Sequence, residues 1–193
     1  MSLSATEYLD TTDIIDHHHP SVGRVAKRLG AGSPDTITTA RRCFEWVRDE
    51  IGHSLDVGST TVTCSASEVL GHGAGFCYAK SHLLAALLRA NGIPAGLTYQ
   101  RLSQDGEGAP YCLHGLNGVY LEGHGWYRVD PRGNRDGIDA RFSPPVEKLA
   151  YDITLEGEAD LPGILAAPLL SVVEALRKFT STADLAANLP DVA

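Results

Sequence analysis

The stretch GHGAGFCYAKSHLLAALLRANGIPA, residues 71–95, decides the reading of this chain. Its glycines at 71, 73 and 75 end any preceding helix and let the backbone turn sharply. From Cys77 onward, Leu83, Leu84, Leu87 and Leu88 recur at helical spacing. Asn91-Gly92 supplies a stop, and Pro94 prevents continuation. The pattern predicts a long helix that opens on a cysteine. The unpaired N–H groups of a first turn amount to about half a positive charge. That potential favours a thiolate at Cys77. The same N–H groups, with glycines allowing close approach, suit the oxyanion of an acyl-transfer intermediate.

Upstream the periodicity is also helical. Val22, Val25, Ala26 and Leu29 share one face, and Gly30 closes it. Ser33-Pro34 reads as an N-cap followed by a first-turn proline. Ala40, Cys43, Phe44, Val47 and Ile51 then form a second apolar face, which places Cys43 in the core. Ser65-Ala66-Ser67-Glu68 fits a capping box ahead of Val69 and Leu70. Lys80 and His82 read as solvated positions of the cysteine helix.

Downstream the period changes to two. Leu97–Leu102, Leu113–Leu121 and Trp126–Asp130 are rich in aromatic and β-branched residues, with SQDGEGAP and EGHG between them. This predicts a three-stranded antiparallel meander, followed by turn chemistry in DPRGNRDG. Leu169, Val172, Val173, Leu176 and Phe179 form a last amphipathic helix, and STADLAANLPDVA reads as a loosely held tail. Helices first, strands later and a helix returning predict an α+β fold in one domain spanning 1–193.

The 193 residues carry 16 Lys+Arg against 24 Asp+Glu, a net charge of −8. An acidic balance argues against a nucleic-acid footprint and against electrostatic docking on anionic lipid. The first ten residues lack the order of a signal peptide, and no apolar run is long enough to span a bilayer. The expected compartment is the cytoplasm, with Cys43, Cys64, Cys77 and Cys112 as thiols. No CxxC pair marks a structural zinc site. The tract His17-His18-His19 reads as a surface feature before Pro20.

Three residues converge on one chemistry. Cys77 is the candidate nucleophile. His114 opens the second predicted strand and Asp130 ends the third. In an antiparallel pair the start of one strand lies beside the end of the next. An imidazole there holds the proton beside a thiolate, and a carboxylate on its other nitrogen fixes the tautomer and favours the charged ring. Gly75, Tyr78 and Trp126 are the candidate substrate contacts: Gly75 for close approach, Tyr78 as a wall of the acyl pocket, and Trp126 as a shield sharing strand parity with Asp130. Cys112 shares the parity of His114 and reads as a neutral strand residue.

The stretches GHGAGFCYAKSHLLAALLRANGIPA, LHGLNGVYL and GWYRVDPRG resemble the transglutaminase-like superfamily of papain-related cysteine enzymes. The family's Gly-x-Cys at a helix start, histidine opening a strand and aspartate ending the next fall on Gly75 and Cys77, His114, and Asp130. The resemblance covers roughly residues 40–135, and it is to compact bacterial-type members. It implies a papain-like core in which the cysteine helix packs on a short antiparallel sheet. It also implies attack of the cysteine on an amide or peptide carbonyl, with the acyl-enzyme released to water or an amine. No cofactor is implied, and the chain shows no Asp/Asn-rich calcium loop. For the oxyanion, family members add a side chain upstream of the cysteine. Trp46, His53 and His72 lie upstream, none of them aligned to that role, and the N–H of Cys77 is the expected donor.

Two other functional classes remain at this level. Cys77, His114 and Asp130, with His72 as a fourth ligand, are acceptable zinc ligand types. The fold could also serve as a non-catalytic interaction module.

Overall fold

The apolar stripes fold as the sequence dictates. Val22 and Ala26 are buried while Arg24, Lys27 and Arg28 between and beyond them are exposed, which makes Pro20–Gly30 an amphipathic helix, α1. α2 (Thr36–Glu50) buries Ala40, Cys43, Phe44 and Val47. Its N-cap is Asp35, whose carboxylate accepts the Thr38 N–H at 2.6 Å. The predicted Ser33-Pro34 cap is therefore two residues early, because a carboxylate at 35 reaches the free N–H groups. The computed structural model describes residues 6–192.

A short 3-10 helix (Glu7–Leu9) precedes α1, and the remaining elements are β1 (Gly52–His53), α3 (Ala66–His72), β2 (Ala74–Gly75), α4 (Cys77–Ala90), β3 (Ala95–Ser103), β4 (Tyr111–Leu121), β5 (Gly125–Val129), β6 (Ala159–Asp160), α5 (Leu170–Lys178) and α6 (Thr182–Ala186). The capping box at α3 forms in full: Ser65 caps the Glu68 N–H, and Glu68 reaches back. Gly73 closes α3 in the left-handed conformation, φ +66°, which a side chain would disfavour. β1 and β2 pair in parallel, Gly52 with Ala74 and His53 with Gly75.

The main sheet is antiparallel with strand order β5-β4-β3-β6. β3 and β4 pair from Ala95–Val119 to Ser103–Tyr111, and β4 and β5 from Asn117–Val129 to Leu121–Gly125. The predicted meander is present, and β6 adds a short edge. Gly96 and Gly118 face each other in register because Ile164 lies across them; a Cβ at either would meet Ile164 at 2.5 Å. The architecture is α+β.

α4 runs through the centre. Every residue from Cys77 to Arg89 is buried, between α1, α2 and α3 on one side and β3 and β4 on the other. Lys80 and His82 are thus fully enclosed rather than solvated: a helix packed on all sides has no polar face. Each bonds a backbone carbonyl, although His82 Nε2 has no partner among the described residues. Lys80 donates to the Arg48 and Ile51 carbonyls at the end of α2, and His82 Nδ1 bonds the Cys64 carbonyl at 2.8 Å.

The C-terminal tail is docked, not loose. Ser181 caps α6, Leu185 is fully buried, Pro190 O accepts the Leu113 N–H at 2.7 Å, and Arg101 grips Asp191 through two bonds of 2.6 and 2.7 Å. A leucine and a carboxylate with waiting partners outweigh the polar composition that suggested looseness.

Candidate active site

α4 opens without a side-chain cap, so its first-turn N–H groups face outward from the helix. Cys77 is its first residue. Its thiol lines a cleft of about 870 Å³. β4 crosses directly over this turn. The Gly115 N–H points at Cys77 Sγ, 3.5 Å away, and a Cβ on Gly115 would meet Tyr78 Cδ1 at 2.9 Å and Tyr78 Cα at 3.1 Å. Only glycine lets the strand lie that close. Tyr78 fastens the contact by donating its hydroxyl to the Leu113 carbonyl, and Ser81 bonds both the Cys77 carbonyl at 2.8 Å and the Gly115 carbonyl at 3.1 Å.

One residue before Gly115, His114 is buried at 5% exposure and faces the cleft. Its Nε2 meets Asp130 Oδ2 at 2.7 Å, and the Cys77 thiol is its second hydrogen-bond partner. With Nε2 on the carboxylate, Nδ1 is the nitrogen left for sulfur. Burial alone would lower the His114 pKa; the negative charge of Asp130 and the Cys77 thiol outweigh it and hold it well above 6.5. Asp130 is fully buried. Burial would raise its pKa, but His114 and the backbone N–H groups of Arg132 and Ala150, each at 3.1 Å, keep it low. The structure therefore gathers Cys77, His114 and Asp130 at one point.

Around them the wall is mixed. Tyr151 lies edge-on to His114, ring centroids 5.0 Å apart and planes at 86°. Arg132, 5% exposed, pairs with Asp56 through both guanidinium nitrogens, joining the loop of Asp130 to the loop after β1. His53 sits on β1 beside Phe76, ring centroids 5.6 Å apart, and lines the cleft. Burial and the Arg132 charge push its pKa down to about 3, so the ring is neutral, and its Nδ1 is buried without a partner among the described residues.

Of the other expected contacts, one lines the cleft and two do not. Tyr78 lines the cleft. Gly75 is a packing position: a Cβ there would press on Ala79 and Thr63 at 3.2 Å, and it is absent from the cleft wall. Trp126 is absent too. It meets Tyr8 and Tyr120 edge-on, ring centroids 4.6 and 5.7 Å apart, and is 39% exposed. Parity with Asp130 was the wrong criterion, because four residues along a strand are about 13 Å. His72 is exposed at the end of α3, and Trp46 packs under Arg28. Among the described residues, no three His, Cys, Asp or Glu side chains are arranged to hold a metal ion. Gly115, Arg132 and Tyr151 escaped the sequence reading. Gly115 follows directly on the strand histidine, a place where a glycine weakens a strand unless something presses on it.

The family model of the transglutaminase-like superfamily matches residues 23–131. The chain belongs to this superfamily. A candidate cysteine protease from Cytophaga hutchinsonii shares the fold at TM-score 0.56 and 20% identity, over 68% of this chain and 43% of that one. The periplasmic domain of TgpA from Pseudomonas aeruginosa aligns at TM-score 0.49 and 20% identity, over 67% and 48%. This transglutaminase-like chain thus spans less than half the length of either structure. No curated protein matches it in sequence. Among the described residues, no helix is long and apolar enough to cross a membrane.

Proposed function

We propose that this protein is a cysteine-dependent acyl-transfer enzyme acting on an amide or peptide bond. The observation that carries the reading is the burial of His114 between the Cys77 thiol and the Asp130 carboxylate at the open end of α4. An imidazole so placed takes the thiol proton and keeps it, as an ion pair that the helix end and the Gly115 N–H both favour. The sulfur then attacks the carbonyl carbon. The oxyanion meets the Cys77 N–H, and neutral His53 is the side chain on the same wall with a ring nitrogen to offer. His114 gives its proton to the departing amine as the C–N bond breaks, leaving a thioester. Water or a second amine, deprotonated by the now neutral His114, releases the acyl group. Asp130 keeps the ring aligned and stabilises its charged form throughout.

The test is chemical and needs no known substrate. Cys43 is the internal reference, since burial holds its thiol at about 12. At pH 7, iodoacetamide should modify Cys77 at least about a hundredfold faster than Cys43, because only the thiolate reacts. His114→Ala should abolish most of that difference. Equal and slow modification of the two, read by peptide mass spectrometry, would overturn the proposal.

A further inference from the structure

The cleft continues past His114 along β4. Cys112 lies two residues before His114 on the same face of the strand, about 7 Å away, and β3 sets Leu102 directly opposite it. Both line the cleft, as do Leu155, Ala186 and Leu189. Main-chain bonds bring these five together. The Leu113 N–H donates to the Pro190 carbonyl at 2.7 Å, which lays Leu189 beside this end of β4. From β3, Arg101 holds Asp191. Glu158 accepts the Ser103 and Leu155 N–H groups, each at 3.0 Å, which draws Leu155 to the end of β3. Leu102 is buried, while Cys112, Leu155, Ala186 and Leu189 are half-buried.

The polar groups of this arm are spent on the protein itself. The Tyr78 hydroxyl donates to the Leu113 carbonyl, and the Gln104 amide donates to the Tyr111 carbonyl at 3.2 Å. The Ser103 hydroxyl accepts the Gly106 and Gly108 N–H groups and donates to Asp105. Glu158 takes a third N–H, from Thr154. Asp152 lines the cleft from an exposed position. What the arm offers a ligand is therefore hydrocarbon and a neutral thiol. Apolar surface left half-open in a concavity leaves water when an apolar group fills it. Leu155, Ala186 and Leu189 also lie outside the stretch that matches the family. Resting on the reading of Cys77 as nucleophile, we propose that Leu102, Cys112, Leu155, Ala186 and Leu189 form a specificity pocket for an apolar side chain of the substrate. The substrate is then a peptide with a leucine-sized residue within about two positions of its scissile amide, since an extended residue spans about 3.5 Å.

Two reagents that differ only in an apolar tail test this without a known substrate. Iodoacetamide and N-butyliodoacetamide both lose iodide to the Cys77 thiolate, and the readout is the ratio of their rates at Cys77 by peptide mass spectrometry. A general loss of reactivity in a variant cancels in that ratio. Glutathione supplies the ratio in the absence of a pocket. Wild-type Cys77 should favour the butyl reagent by at least about tenfold relative to glutathione, because the pocket takes the tail out of water. Leu189→Gln and, separately, Leu155→Gln keep the size of the side chain and remove its apolar end. Each should lower the ratio by about three- to tenfold. Leu55, 50% exposed on the β1 side of the cleft, is the comparison: Leu55→Gln should leave the ratio unchanged. A wild-type ratio no higher than that of glutathione overturns the proposal. So does a ratio that neither Leu189→Gln nor Leu155→Gln moves, or one that Leu55→Gln lowers as much. Slow reaction of wild-type Cys77 with both reagents overturns the nucleophile reading instead.

Discussion

The charge state of His114 is set by opposing effects of known sign. Burial pushes a base toward its neutral form, and Asp130 with the Cys77 thiol pushes it back further than burial takes it. A base with a raised pKa keeps its proton to higher pH. The window in which the ring can serve as acid to a leaving amine therefore extends upward from neutrality. Asp130→Asn keeps the shape and removes the charge. An NMR titration of the His114 ring should show a midpoint well above 6.5 in the wild type, lower by at least about one unit in the variant. An unmoved midpoint would mean that the carboxylate does not govern the ring. The acidic partner of this pair was legible in the sequence, since a hairpin brings His114 and Asp130 together whatever the side-chain details. Arg132 and Tyr151 were not. Their contacts depend on loops after β1 and β5 whose shapes no local pattern specifies.

Among the elements, β4 and α4 meet at a single crossing on which the site depends. Gly115 permits it, and Tyr78 and Ser81 fasten it. A methyl at 115 would press on the Tyr78 backbone as well as its ring, and backbone gives way only if the strand moves. Gly115→Ala should cost about 1–3 kcal/mol in chemical denaturation. It should also slow alkylation of Cys77, because the displaced strand carries the Gly115 N–H and His114 away from the sulfur. Gly118→Ala is the comparison. It meets only the Ile164 side chain, so it should lower stability and leave Cys77 reactivity largely intact. Equal reactivity in both variants would separate the crossing from the chemistry. Element existence was legible here because periodicity switches cleanly from helical to alternating near residue 95. Lys80 and His82 read as solvated because burial was inferred from one apolar face per helix. For α4 that rule breaks down, since the helix is enclosed on all sides and its polar residues are buried with the rest.

At the scale of the whole molecule, that enclosure ties stability to pH. His82 is fully buried with its pKa pushed down to about 4, and His53 is pushed down to about 3. Both are neutral in the folded protein and titrate near 6.5 when it unfolds. A base depressed by folding contributes stability that is complete above its unfolded pKa. That stability is lost as pH falls below 6.5, because the unfolded chain then binds the extra protons. Lys80, lowered to about 7, is about half protonated in the folded protein at pH 7, and below about pH 6 it is protonated in both states and adds no further slope. His114, with its raised pKa, is likewise charged in both states below about pH 6. Between pH 7 and 4.5 the two depressed histidines should each remove about 2–3 kcal/mol. Against a total of about 5–15 kcal/mol, that is enough to bring the fold near its limit while the carboxylates are still mostly ionised. The midpoint of urea unfolding should therefore fall steeply below pH 6. His82→Gln cannot titrate, so its acid slope should be shallower than that of the wild type by about one proton, whatever its absolute stability. Parallel slopes for the two proteins would show that His82 is not the neutral core group that its surroundings demand.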